Sequence, residues 1–431
     1  MKTSKILFIT TILFCFISSS FSQSAIDYFN KGEKYFKEKD YNNAIIYYNK
    51  ANEICPKCTN VFFARADAYI QTRQYEKALK DYNTILDIEP GNQLVYYGRG
   101  LVHYKLQKFE NAVEDMTKEI NYNPKDIDAY IYRAISYHYL NEPDKSMADY
   151  DKIIEMDPKE ASAYYNRGTI YYETGKYDKA MNDMEKAIEL APDYTQAYDY
   201  EGLIYNALNK YDEAIAAFNK AILISPDYPV LYHDRAGSYH NLGQFDKALK
   251  DYAKALELNP EGEEIYYHRG ITYEAIDNLD NALADYNKAI ELDPEYAEAY
   301  FSRGIIYYRT QKYEKAITEF NKSIELKPDD LNTLNFRAMA YFYWQKYDDA
   351  IKHFLKNLER AKDNVRTYLG LAMSYSEKND IENAKVYFAE AVKLEPLFAK
   401  GMDGLNEFDP DSKAYSPKFR EMFGKMMEKI K

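Results

Sequence analysis

The sequence predicts an all-α protein, an array of eleven helix hairpins of 34 residues each. Two patterns carry this expectation. The first is apolar spacing, displayed by the stretch 161–194. Its apolar and small residues fall at unit positions 4, 8, 11, 20, 24 and 27, two runs of helical period split by a polar break near position 15. The second is strict repetition. Position 8 is Gly32, Ala66, Gly100, Ala134, Gly168, Gly202, Ala236, Gly270, Gly304, Ala338 and Ala372. Position 32 is proline from Pro56 to Pro328 and again at Pro396, with Lys362 the one exception. Units therefore start at 25, 59, 93, 127, 161, 195, 229, 263, 297, 331 and 365, with no residue inserted or deleted.

Over residues 25–398 this pattern resembles the tetratricopeptide repeat (TPR) family. The resemblance implies a right-handed α-solenoid, a superhelix in which the first helix of each hairpin (helix A) lines a concave wall. It also implies a surface that holds another molecule. One elongated domain is expected, because each hairpin buries its apolar stripe only against its neighbours.

Residues 1–22 read as a secretory signal peptide. Lys2 and Lys5 precede an apolar run from Ile6 to Ile17, and Ser20 and Ser22 offer small residues ahead of a cut before Gln23. The run is short for a membrane span, so none is expected in the mature chain. Phe14, directly before Cys15, stands where lipidation wants a small residue. The expected location is the periplasm, the cell envelope or the outside of the cell.

The full chain has 56 basic residues against 69 acidic ones, a formal net charge of −13. With no basic block, it lacks the electrostatic footprint for a phosphate backbone, so nucleic acid is not an expected partner. Position 4 is tyrosine in nine units and position 11 in ten, which accounts for much of the total of 47 tyrosines as interhelix packing.

Position 7 carries Arg65, Arg99, Arg133, Arg167, Arg235, Arg269, Arg303 and Arg337, where the family usually has leucine. In the first seven of these units position 23 is acidic: Asp81, Asp115, Asp149, Asp183, Asp251, Asp285 and Glu319. The two residue types come and go together, which predicts an ion pair, planar and bidentate, between the two helices of each such hairpin. Cys55 and Cys58 lie across the first inter-repeat turn, close enough for a small structural disulfide. Thiol-redox chemistry is the rival reading. It wants the first cysteine at a helix N-terminus, whereas Cys55 ends a helix.

His233, His240 and His268 fall on neighbouring A helices, but no metal site is expected from them, and no cofactor. No phosphate loop, nucleophile elbow or His-Glu-x-x-His motif occurs, so the chain reads as non-enzymatic.

In the family, positions 2, 5, 9 and 12 of helix A line the concave wall. Here positions 5, 9 and 12 form a second stripe beside the core stripe. It is apolar at Tyr97, Leu101 and Tyr104; at Tyr165 and Tyr172; at Phe301, Ile305 and Tyr308; and at Met339 and Phe342. It is polar between, at Asp199, Asn206, His233, Gly237 and His240. This predicts two aromatic contact zones, in repeats 3–5 and 8–10, that hold an extended protein or peptide segment. A glycan is the alternative ligand, since aromatic grooves also stack sugars. The family's carboxylate clamp needs lysine and asparagine at positions 5 and 9, and no unit has that pair.

The end of the array departs from the pattern. Asn357 stands at a packing position and Lys362 replaces the proline, so helix B of repeat 10 is expected to overrun and the junction at 360–364 to be the weakest. Residues 399–431 read as half a hairpin followed by a capping helix. That helix puts Phe419, Met422, Phe423, Met426, Met427 and Ile430 on one stripe.

Overall fold

The structure, a computed structural model, describes residues 23–409 and 416–430. The leader assigned to 1–22 and most of the break before the last helix lie outside the described residues. All regular structure among the described residues is helical. From Gln23 to Leu394 an A helix alternates with a B helix, as in Ala161–Glu173 followed by Tyr177–Leu190. Every B helix has 14 residues, and their starts recur from Tyr41 to Ile381 in the 34-residue register.

Each A helix stops for the same local reason. Position 15 adopts a left-handed backbone in all eleven repeats, with φ near +60° from Lys39 to Asn379 and near +70° at Gly175 and Gly243. Such a residue cannot continue a right-handed helix, and two tight bonds close the turn. In repeat 5, Gly175 N–H donates to the Tyr172 carbonyl (2.9 Å) and Lys176 N–H to that of Tyr171 (2.8 Å).

The chain divides into two compact units, one reaching Leu208 and the other starting at Asn209. The first holds repeats 1–5 and the A helix of repeat 6 (Thr195–Ala207). The second holds that repeat's B helix (Tyr211–Ile224), repeats 7–11 and the C-terminal end. In both, a small residue at position 8 faces a large one at position 24. A Cβ on Gly270 would lie 2.6 Å from the Tyr286 ring, and one on Gly304 2.7 Å from the Phe320 ring. The alanines at position 8, such as Ala66 and Ala236, are fully buried. The two helices of a hairpin thus approach closely, which is the packing reason for small residues at that position.

Repeat 10 corrects one expectation. Its B helix, Tyr347–Arg360, ends in the same register as the others despite Lys362. Two side chains take over the work of the missing proline. Arg360 is anchored to the Pro328 carbonyl and to Asp329 of the preceding turn. Asn364 caps the next helix by accepting from the Thr367 N–H (3.2 Å). Asn357 is buried and donates to Asn335 (3.0 Å), which also accepts from the Thr367 hydroxyl (2.9 Å).

After repeat 11 a short 3-10 turn (Pro396–Lys400) and a helix (Met402–Phe408) lead toward the C-terminal helix Pro417–Ile430. That helix buries Phe419, Phe423, Met426 and Ile430, with Phe423 meeting Phe388 (6.0 Å) and Phe398 (6.2 Å). It also reaches back to earlier repeats. Lys429 Nζ donates to the Ser376 carbonyl (3.2 Å), and Lys418 donates to the Tyr313 hydroxyl (2.8 Å) and lies over the Tyr343 ring. Among the described residues no helix is long and apolar enough to cross a membrane.

Candidate functional site: the face of the A helices

The position-7 arginines join the two helices of their hairpins. Arg65, Arg99, Arg133, Arg167, Arg235 and Arg269 each place Nε and Nη2 on the two oxygens of the aspartate at position 23 of the same repeat. The Nη2 contacts run from 2.6 to 2.8 Å. In repeat 9 the longer Glu319 offers one oxygen to both nitrogens of Arg303 (3.0 and 2.6 Å). The Asp115 carboxylate raises Arg99 above its ordinary value by hydrogen bond and charge. Pairs this buried fix geometry more than they add stability.

A third contact was not foreseen. The arginine Nη1 crosses to position 25 of the preceding repeat: Asn49, Asn83, Thr117, Asp151, Asn219, Asn287 and Asn321. One side chain therefore ties its own hairpin to the one before. The recurrence of asparagine at position 25 was the available signal.

Cys55 and Cys58 are joined, with Cα atoms 5.5 Å apart. They bridge the end of one helix and the N-cap of the next. The three histidines split into two links. His233 Nε2 meets His268 Nδ1 at 2.8 Å, and His240 Nδ1 meets the Thr272 hydroxyl at 2.9 Å. Burial pushes His268 down to about 4. Among the described residues no three metal-ligating side chains gather.

The second stripe on the A helices is only partly a surface. Phe342 is 1% exposed and Leu101 8%, so both belong to the core and are corrected out of the groove. Phe342 is drawn in against repeat 11, where it shares one apolar cluster with Leu369 and Met373. Met339 packs against that cluster and Ile305 against a neighbouring one, both half-buried.

Tyr97, Tyr104, Tyr165, Tyr172, Phe301 and Tyr308 are half-buried, each against an aromatic ring of the next repeat. Tyr132 lies against Tyr97 (6.4 Å) and Tyr104 (5.3 Å). Tyr200 lies edge-on to Tyr165 (5.5 Å) and Tyr172 (5.7 Å). Phe336 lies edge-on to Phe301 (5.6 Å) and Tyr308 (5.7 Å). All three inserted rings occupy position 6, which the stripe at 5, 9 and 12 left out. Beside Phe301 an open cavity of about 480 Å³ lies among the A helices of repeats 7, 8 and 9.

With this geometry in place, comparison with known proteins gives the class. Tetratricopeptide repeat matches fall at 161–194 and 297–330. Further TPR matches cover 28–58, 66–107, 94–126, 127–160, 202–243, 237–277, 275–311 and 365–396. The chain belongs to the tetratricopeptide repeat family. No curated protein matches it.

Among solved structures, it is similar to YrrB, described as a TPR protein with an unusual peptide-binding site. The identity is 28%, over 44% of this chain and 97% of that one, with a TM-score of 0.36. The MamA protein matches at 25% identity over 40% of this chain and 94% of its own, TM-score 0.36. A TPR protein from Parabacteroides merdae matches at 21% over 62% and 98%, TM-score 0.43.

Proposed function

We propose that this chain is a non-catalytic scaffold that holds an extended protein segment along the face of its A helices. The observation that supports it most is the set of half-buried rings that recurs there at the repeat spacing. Tyrosine and phenylalanine supply large contact area with little side-chain entropy to lose. An acidic chain without basic patches favours a protein ligand over nucleic acid. The reading includes export to the periplasm or beyond, supported by the character of residues 1–22 and by a cysteine pair placed to bridge.

Two measurements test it. Mature protein used as bait on envelope extract should retain a partner that disappears when the extract is first treated with protease. Retention that survives protease and fails after deglycosylation would replace the protein ligand with a glycan. The intact mass of protein recovered from cells should begin at Gln23, and a mass that includes residues 1–22 would remove export from the proposal.

A further inference from the structure

The rings on the A-helix face share one arrangement. Position 6 of a repeat inserts between positions 5 and 12 of the repeat before. Tyr132, Tyr200 and Phe336 do this between pairs of aromatic residues. His268 does it beside His233, ring centroids 5.0 Å apart. Small residues also occur at position 6, and there a ring from a B helix moves in. A Cβ on Gly98 would meet the Tyr82 hydroxyl, and one on Gly370 the Phe354 ring.

In repeat 9 position 6 carries no ring. It is Ser302, whose hydroxyl hydrogen-bonds the Tyr267 and Tyr286 side chains. Beside it lies the cavity of about 480 Å³. Ile271, Phe301 and Ile305 give the cavity apolar walls, and His240, Glu274 and Arg309 give it polar ones. The cavity is wide and open to solvent.

We propose that this cavity takes an aromatic side chain of the bound segment, one that carries a hydrogen-bond donor on its edge: tyrosine or tryptophan. The ligand's ring packs beside Phe301, in the space that Ser302 and Tyr286 leave open. The inference rests on the reading of this face as a holder of protein segments.

The polar walls select among side chains. The Thr272 hydroxyl donates to the His268 carbonyl (3.0 Å), so toward His240 Nδ1 (2.9 Å) its oxygen accepts. His240 therefore carries its proton on Nδ1, and burial keeps the ring neutral by lowering its pKa. Nε2 is left as a bare acceptor. Both Glu274 oxygens already hold donors, Oε1 from Arg309 (3.0 Å) and Oε2 from the Tyr286 hydroxyl (3.1 Å). A lysine would have to expel Arg309, and a carboxylate would meet Glu274. A leucine would cover the His240 acceptor without bonding it, which disfavours it against a side chain that donates. A ring with an N–H or O–H satisfies both walls.

Saturation-transfer NMR on the mature protein tests this, using the N-acetyl amides of tyrosine, tryptophan, leucine and lysine at millimolar concentration. The tyrosine and tryptophan amides should give at least a threefold stronger signal than the other two. Ser302→Phe, which places a ring in the wedge, should abolish that difference. Ala275→Trp should do the same from an exposed residue at the cavity wall, and it carries the test if Ser302→Phe does not fold. Equal signals from all four amides, or an aromatic preference that survives both blocking variants, would overturn the proposal. If the bait still captures a protein while the amides show no preference, the scaffold stands and this pocket falls. If the amides discriminate and no protein is captured, the reverse holds.

Discussion

Arg337 faces His353 where seven other arginines of this chain face a carboxylate. Its Nη1 keeps the inter-repeat bond to Asn321 (2.9 Å), but its Nε is buried with no partner among the described residues. Burial lowers the guanidinium below its ordinary value, and the His353 ring turns away to stack on Tyr341 (5.0 Å, 14°). Repeats 2–5, 7 and 8 display the missing arrangement, so His353→Asp should restore it. An unmade buried donor costs about 1–3 kcal/mol, and the variant should recover about 1 kcal/mol or more in denaturant titrations. Adding Arg337→Leu to His353→Asp should reverse the gain and go below wild type, because a carboxylate is then buried alone. A stability unchanged in both variants would show that the slot is too wet for the pair to matter.

The same histidine predicts a pH dependence. Free histidine titrates near 6.5, whereas burial first, and then the Arg337 charge, push His353 down to about 4. His268 is also held at about 4, by burial and by His233. Above 6.5 both states are neutral and the groups contribute nothing to the pH dependence. Between 6.5 and 4 the unfolded chain binds protons that the folded chain refuses, so stability falls as pH falls through that window. His353→Asn and His268→Gln should each flatten the slope of melting temperature against pH between 6.5 and 4. A slope identical to wild type in both would assign the acid sensitivity elsewhere.

Two glycines should respond with opposite signs. On Gly270 a Cβ would press on Tyr286 at 2.6 Å, while on Gly237 it would meet nothing within 4 Å. Both sit inside A helices, where alanine is favoured over glycine by about 1 kcal/mol. Gly237→Ala should therefore stabilise by about 0.5–1 kcal/mol. Gly270→Ala should destabilise, since overpacking costs about 1–3 kcal/mol. Thermal melts of the two variants read both signs, and a stabilising Gly270→Ala would mean that the Tyr286 ring yields freely.

The helices, their register and the arginine pairing were legible because each is set by local periodicity repeated many times. The residues that face each other across a hairpin stand at fixed spacings, so one alignment of the chain on itself displays them. The A-helix face was legible only in part. The stripe at 5, 9 and 12 found Tyr97 and Phe301 but not Tyr132 or Phe336, because position 6 meets its partners in the repeat before rather than in its own. Phe342 and Leu101 carry the same pattern as Tyr308 and Tyr104. Phe342 is buried where repeats 10 and 11 share one apolar cluster, a fit between neighbours that the stripe alone does not encode. The register of repeat 10 was missed for a similar reason, since Arg360 holds Asp329 and the turn before it.

That anchor makes Arg360 testable. The seam between repeats 10 and 11 buries Asn335, Asn357 and Thr367, and the Asn357 side-chain oxygen has no partner among the described residues. A seam that buries three polar side chains within its apolar cluster, beside a turn that Arg360 ties to the turn before repeat 10, should open below the global unfolding free energy. Hydrogen exchange should show lower protection on both sides of 360–364 than between repeats 8 and 9. Arg360→Ala should lower it further there while leaving repeats 1–5 unchanged. Uniform protection across the seam in both proteins would count against it.

The distinction between core and groove rings gives the last prediction. Phe342 is 1% exposed, in one cluster with Leu369 and Met373, whereas Phe301 is half-buried and borders the cavity. Removing a buried phenylalanine costs about 3–5 kcal/mol through lost transfer energy and the void left behind. Phe342→Ala should therefore lower the denaturant midpoint sharply. At concentrations where it remains folded, it should still give the aromatic-amide signal, since no wall of the cavity has changed. Phe301 keeps part of its ring in solvent and can shed it with less loss, so Phe301→Ala should cost less than half as much stability. It should nonetheless lose the tyrosine and tryptophan preference, because one apolar wall is gone. If the two variants lose stability equally and both keep the amide signal, Phe301 is a packing residue and the binding face lies elsewhere on the A helices.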